Sequence, residues 1–397
     1  MKRKHVFALC LTAMIGLASM NSVAQAQIKN VTPQKVETAV KVHQSAEWYK
    51  TQERLWKAEI DKNPKNEEAW GNYYRAMKYR SWSENIPDIK ERLDAIIEEM
   101  EKAIPNTYTY YITHFHNNNH VQDNPGMAKA IKMCPDAIDD YPIFISYLMQ
   151  TGDEEMMRDI LTRWYNSGSY SPTLLNYAYN ELVGLAPNAI IFAHGDTQTF
   201  SKLILQYGKG IRTDVTVVNT SFFLFTADYR SHIEKKLRLP NFAEMVDNGT
   251  YKLYNNDPER IKNTVYQHLI DNTSRPVYFS PMMETEMPKC TDNLYSEGLV
   301  MRYSKKPYDN LAIKRRNFED LYLTDYLRES FLPESYPAAI DRYNFNYIPC
   351  FKSLLDYYKR NGNTARYQEL RSLMIRIVEQ INVPAEERQK YYEEINR

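Results

Sequence analysis

The chain has 397 residues with 50 basic and 50 acidic side chains, so it lacks the basic surface that nucleic-acid binding needs. Thirty-two tyrosines against twelve glycines suit packed helices better than a glycine-rich all-β fold. Cys10, Cys134, Cys290 and Cys350 are scattered without C-x-x-C spacing, which excludes a zinc ribbon and a disulfide framework and leaves at most one incidental bridge.

Residues 1–26 have the pattern of a signal peptide: Lys2, Arg3 and Lys4, then the apolar run Val6 to Met20, then an A-x-A site at Ala24 and Ala26. Cleavage after Ala26 is expected, since bulky Leu9 before Cys10 argues against a lipid anchor. The cut removes three cations and leaves the remainder near −3, with no later stretch of the ~20 apolar residues needed to span a bilayer. The expectation is a periplasmic or secreted protein, compatible with peripheral membrane association but not anchored. What remains exceeds the roughly 250–300 residues at which one core divides, so two or three domains are expected.

Residues 27–45 are polar and read as a tether. A helical domain follows over 46–186. Trp48, Trp56 and Ile60 are spaced for one buried stripe, and Asn63-Pro64-Lys65-Asn66 breaks the helix before Ala69-Trp70-Gly71-Asn72-Tyr73-Tyr74 starts the next. That passage has the form of a tetratricopeptide junction, and Ala130 and Trp164 stand one such period of 34 residues apart. The tryptophans read as core. If the helical pairs form a groove for a protein or peptide partner, Trp70, Tyr73 and Tyr74 are the candidate contacts.

An α/β domain is expected over 187–308. Ala189–Ala193 and Val215–Val218 are continuous apolar runs suited to strands buried on both faces. Ser201–Tyr207 is the crossover helix, ended by Gly208 and Gly210. Helices follow at Ala227–Leu237 and, with Asp257 as N-cap before a proline, at Pro258–Asp271. Pro276–Ser280 and Leu299–Tyr303 read as further strands, with Pro281–Asn293 a candidate lid loop between them. Residues 309–397 are helical again, with Phe351, Leu354, Leu355 and Tyr358 on one face and a turn at Asn361-Gly362-Asn363. The expected class is therefore α/β plus all-α: a small, mainly parallel, Rossmann-like sheet flanked by tetratricopeptide-like hairpins.

In a parallel sheet, ligands bind beyond the carboxyl ends of the strands. Those ends would gather His194, Asp196, Thr197 and Thr199, then Asn219 and Ser221, then Ser280. Hydroxyls, a carboxylate and an imidazole beside a helix N-terminus suit an anion or sugar hydroxyls. The plainer alternative is that Asp196 or Thr197 caps the helix and Gly195 serves backbone geometry. No G-x-S-x-G elbow or G-x-x-x-x-G-K-[ST] loop is present, so no nucleophile, phosphate cradle or cofactor is indicated, and a catalytic role is not favoured. His114, His116 and His120 with Asp123 have ligand-like composition, but the adjoining asparagines read as a solvated loop and no metal site is assigned. Lys235-Lys236 and Lys305-Lys306 read as solvated charge.

The run Pro187-Asn188-Ala189-Ile190-Ile191-Phe192, then Gly195-Asp196-x-x-Thr199 and Gly210-Ile211-Arg212-Thr213-Asp214-Val215, resembles the soluble extracytoplasmic tail of a bacterial multi-pass membrane family related to protein O-mannosyltransferases. Leu294-Tyr295-x-Glu297-Gly298-Leu299-Val300-x-Arg302 and the closing hairpin resemble the same tail, so the likeness covers about 185–380. It does not imply transferase activity, because the membrane part that would house it has no counterpart here. The family's turn reads G-D-x-D-T, and Gln198 replaces its second carboxylate, which counts against a divalent metal. The leading expectation is an exported, non-enzymatic interaction or scaffold protein of the cell envelope. The alternative is a glycan- or lipid-linked-saccharide-binding accessory protein, or less favourably a glycan-processing enzyme, using the His194–Thr199 turn. An open pocket faced by both His194 and Asp196 would favour the second reading.

Overall fold

The computed structural model describes residues 32–39, 42–118, 120–247, 249, 257–281 and 293–396. The signal peptide, Cys10, Cys290 and the lid loop beyond Pro281 fall outside these residues. The chain is mostly helical, and it divides into two compact units, one of residues 32–37 and 44–113 and one of 38–43 and 114–396.

In the first unit α1 (Ala46–Lys62) starts at Ser45, whose hydroxyl accepts from the Trp48 N–H, and buries Tyr49, Gln52, Trp56 and Ile60. That spacing makes a single stripe, as the sequence pattern demands. α2 (Glu67–Arg80) is capped by Asn66, and α3 (Ile89–Ala103) buries Leu93, Ile96, Ile97 and Met100. The expected tether is docked in its later part: Gln34 N–H donates to Gln52 and Val36 N–H donates to Asn72, both at 2.7 Å. Trp56 Nε1 returns a bond to the Gln34 carbonyl at 2.9 Å.

α4 (Tyr108–Asn118) crosses the boundary between the units. The second unit then runs through α5 (Met127–Met133), α6 (Tyr141–Thr151), α7 (Glu154–Ser167) and α8 (Pro172–Gly184). Trp164 is their packing centre, 5.7 Å from the Tyr141 ring, 5.1 Å from Tyr170 and 6.0 Å from Phe200. Trp56, Trp70 and Trp164 are core as expected, but Trp82 is 57% exposed.

β1 (Ile190–Ala193), α9 (Gly195–Lys209) and β2 (Thr216–Asn219) form the β-α-β unit. α10 (Thr220–Phe225), α11 (Ala227–Leu237), α12 (Phe242–Asp247) and α13 (Pro258–Asn272) lead to β3 (Val277–Phe279), then β4 (Leu294–Ser296) and β5 (Met301–Tyr303). Asp257 caps α13 by accepting from the Arg260 N–H. The strand order is β2-β1-β3-β5-β4. β1 is parallel to β2 and β3, whereas β5 is antiparallel to β3 and β4. The sheet is therefore mixed, and the expectation of a mainly parallel one is corrected. Gly298, at φ +110°, reverses the chain between β4 and β5, just ahead of the strand expected over 299–303, and the Glu297 N–H donates to the Val300 carbonyl across that turn.

The two resemblance blocks turn out to hold strands in place. Arg212 donates to the carbonyls of Leu182, Leu185 and Ala186 and is braced by Asp214. Glu297, 1% exposed, accepts from Tyr278 at 3.0 Å and Tyr308 at 2.6 Å. After β5 come α14 (Asn310–Arg316), α15 (Pro337–Phe345), α16 (Tyr347–Arg360), α17 (Thr364–Gln380) and α18 (Ala385–Asn396). Asn180 ties α8 to this part through the Leu323 main chain and the Tyr347 hydroxyl, so no compact-unit boundary falls at 186 or 308. Among the described residues Cys134 and Cys350 form no disulfide.

Candidate functional site

The β1 strand ends at Ala193, and α9 begins two residues later. Gly195 sits at φ +64°, the left-handed region that glycine enters without cost, so the chain turns at once from strand to helix. His194 is the N-cap residue, and its side chain makes no capping bond. The plainer alternative of Asp196 or Thr197 as the cap is not what the structure shows. Instead the Gln198 side chain reaches back, its Oε1 accepting from the His194 N–H at 2.8 Å.

Behind the turn lies a chain of buried polar groups. Gln198 Nε2 donates to Ser280 Oγ at 2.5 Å, and Ser280 Oγ donates to Glu181 Oε1 at 2.8 Å. Lys202 Nζ donates to Glu181 Oε2 at 2.5 Å and to the Gln198 carbonyl at 3.2 Å. Burial pushes the Glu181 carboxyl above its ordinary value, against the opposing pull of Lys202 and Ser280. Both polar ends of the Gln198 amide are thereby used, and the missing carboxylate of the G-D-x-D-T pattern is replaced by a fixed structural amide.

The seven candidate residues separate into two groups. Thr199, Asn219 and Ser280 are engaged within the framework: Thr199 Oγ1 donates to the Gly195 carbonyl, Asn219 Nδ2 donates to Thr199, Asn219 Oδ1 caps α10 by accepting from Phe222 N–H, and Ser280 bonds Gln198 and Glu181. All three are at most 1% exposed. Ser221 lies at the start of α10, outside the recess described next. None of these four lines the recess.

His194, Asp196 and Thr197 do face a common recess of about 350 Å³, whose opposite wall is Tyr336, Arg342 and Tyr343. The wall is rigid. Tyr336 packs on Tyr170 with centroids 5.1 Å apart, Tyr343 packs edge-on against Tyr177 at 5.1 Å, and the Tyr170 hydroxyl donates to the Thr197 carbonyl at 2.9 Å. Asp196 occupies the first turn of α9, where a carboxylate is favoured by the helix dipole. Crowding by protein nonetheless pushes its carboxyl up to about 6. Asp196 itself is exposed, so water at the mouth of the recess opposes that shift. Arg342 stands exposed at the mouth.

Sequence reasoning missed Tyr336, Arg342 and Tyr343, which come from a distant helix, and the Glu181–Lys202 pair. One signal was available: Lys202 interrupts the apolar run Phe200 to Leu205, and a lysine on a buried face needs a counter-charge.

The histidine cluster does not converge. His114 and His116 lie on α4 rather than in a loop, and two residues along a helix point some 200° apart. Among the described residues no group of three or more His, Cys, Asp or Glu side chains could hold a metal ion. Of the candidate partner contacts, Trp70 and Tyr74 are core, 3% and 1% exposed, and Trp70 Nε1 donates to the Pro64 carbonyl. Tyr73 alone lines an open groove of about 610 Å³, with Lys50, Arg54, Lys57 and Asp61.

The fold and recess define a mostly helical protein carrying a small mixed sheet, with a cleft at the carboxyl end of a parallel strand. The model of the family described as TMEM260-associated domain 2 matches residues 174–239, which span α8 to just beyond α11 and so include Glu181, the turn and Lys202. That match fits loosely with the membrane-family resemblance over the same stretch. No curated protein matches the chain.

Proposed function

We propose that this chain is an exported, non-enzymatic binding protein of the bacterial cell envelope, and that its α/β core holds a saccharide in the recess at the His194–Thr197 turn. One observation carries the reading: the strand end is open rather than filled, and both His194 and Asp196 face the opening. Sugars offer hydroxyls to a carboxylate, an imidazole and a guanidinium, and a flat apolar face to aromatic rings. Asp196, His194, Arg342, Tyr336 and Tyr343 match that combination. We read the three parallel strands as Rossmann-like and the helical pairs as tetratricopeptide-like, with residues 1–26 removed on export.

The test is a thermal-denaturation screen against neutral sugars, sugar phosphates and nucleotide sugars. A ligand at a hundred times its Kd stabilises the folded state by about 2.7 kcal/mol, a shift of a few degrees. Asp196→Asn and Tyr336→Ala should abolish the shift. A screen in which no saccharide moves Tm, or in which both variants respond like wild type, overturns the reading.

A second reading has its own support. The mixed-charge groove beside Tyr73 suits a peptide, in keeping with a scaffold role for the helical pairs. Because Trp70 is core, Tyr73→Ala is the informative variant: a partner recovered with wild type and lost with Tyr73→Ala supports it, and equal recovery removes it.

A further inference from the structure

β2 is an edge strand, and its outer edge is incompletely covered. Thr216 N–H donates to Ala189, and the β1–β2 register puts Thr216 and Val218 in the ladder. The intervening residues must then turn their main-chain groups outward. Gln206 Nε2 donates to the Val215 carbonyl, and the Asn219 N–H donates to the Tyr229 hydroxyl. Between them the N–H and C=O of Val217 have no partner among the described residues. They border a groove of about 460 Å³ whose floor is Leu148, Met157, Leu203 and Ile233 and whose rim carries His232, Lys235 and Lys236. Lys236 pairs with Glu154 across the mouth at 2.7 Å, while the exposed Lys235 has no ion pair among the described residues.

We propose that this groove receives the carboxyl end of an extended peptide. Its backbone pairs with Val217, its apolar side chain fills the floor, and its terminal carboxylate meets Lys235. Three features point to one occupant. A strand edge with an unpaired donor and acceptor calls for a peptide backbone. One edge residue is free, which limits the pairing to a short stretch of extended backbone. The cationic rim selects a carboxylate there. The groove lies at the amino ends of the strands, away from the saccharide recess, and is independent of it.

The experiment is calorimetric titration of the full chain with acetyl-trialanyl-leucine bearing a free carboxylate, its C-terminal amide, and three forms each N-methylated at one amide. The free acid should bind. The amide form and the Lys235→Ala variant should each weaken binding about two- to fivefold, as for an exposed charge pair. Methylation at one particular amide should weaken it at least tenfold while another position is tolerated. Met157→Trp, which fills the floor, should abolish binding with an unchanged Tm; if that variant does not fold, the peptide series and Lys235→Ala still decide the matter. Asp196→Asn should bind like wild type. No heat at 1 mM peptide, equal binding of acid and amide, or full competition by decanoate with no effect of any N-methyl group would overturn the proposal.

Discussion

Lys202 Nζ lies 2.5 Å from Glu181 Oε2, and neither side chain is more than 1% exposed. This pair, from helices α9 and α8, anchors the polar chain that ends at the His194 main chain. Breaking a buried pair strands an uncompensated charge, which typically costs about 3–5 kcal/mol. Lys202→Met should therefore lower the unfolding free energy from urea titration by an amount in that range. Glu181→Gln combined with Lys202→Met should lower it less than Lys202→Met alone, since the neutral amide still accepts from Ser280. A double variant as unstable as the single one would mean that the charges themselves contribute nothing.

The carboxyl of Asp196 gives the turn a pH signature. Its pKa stands near 6 in the folded state against 3.8 for the free side chain, because crowding disfavours the charge. Between those values the folded state holds a proton that the unfolded state has lost. Stability from this group is therefore full below about pH 3.8 and declines as pH rises through about 6. Asp196→Asn should raise Tm at pH 7 and leave it unchanged near pH 3.5, as measured by calorimetry at both values. A variant less stable at pH 7 would show that the helix dipole outweighs the crowding.

Two glycines at positive φ separate conformational strain from lack of space. Gly195 has φ +64° and nothing within 4 Å of where a Cβ would stand, so Gly195→Ala should cost only the strain of about 1–2 kcal/mol. Gly298 has φ +110°, and a Cβ there would lie 2.8 Å from the Tyr322 hydroxyl, which also accepts from the Leu299 N–H. Gly298→Ala should cost about 2–3 kcal/mol or more and disturb the β4–β5 hairpin. Equal losses in urea titrations of the two variants would count against this distinction.

Much of this geometry was legible in the residues. The apolar, β-branched runs that form β1 and β2 suit strands buried on both faces, and Asp257 before Pro258 signals the start of α13. β4 escaped notice because three half-buried residues, Leu294 to Ser296, have too short a period to read, and with it went the antiparallel half of the sheet. Trp70 and Tyr74 show a further limit. Helical spacing says that such residues share a face but not whether that face meets a partner or the core. The polar strand ends have the composition of ligand groups, and nothing local shows that Glu181, 99 residues before Ser280, occupies the space beneath them. The tyrosine wall of the recess is hidden for the same reason: its order exists only in three dimensions.

Arg212 offers a last test of how the sheet is held. Its guanidinium donates to three carbonyls at the α8–β1 connection, at 2.7 to 2.9 Å, and is oriented by two bonds to Asp214. A lysine keeps the charge but not the planar fork, so it can reach no more than part of this set. Carbonyls left without donors in a partly buried site cost about 1–3 kcal/mol, and Arg212→Lys should lose that much in urea denaturation. The same guanidinium holds the Asp214 carboxyl down to about 2, well below its ordinary 3.8. A depressed acid stabilises the fold above its unfolded pKa and ceases to do so as pH falls through the folded one, so this contribution should fade between about pH 4 and pH 2. Wild type should thus lose more of its stability over that acid range than Arg212→Lys does. Parallel acid titrations of the two proteins would instead place Asp214 outside the clamp.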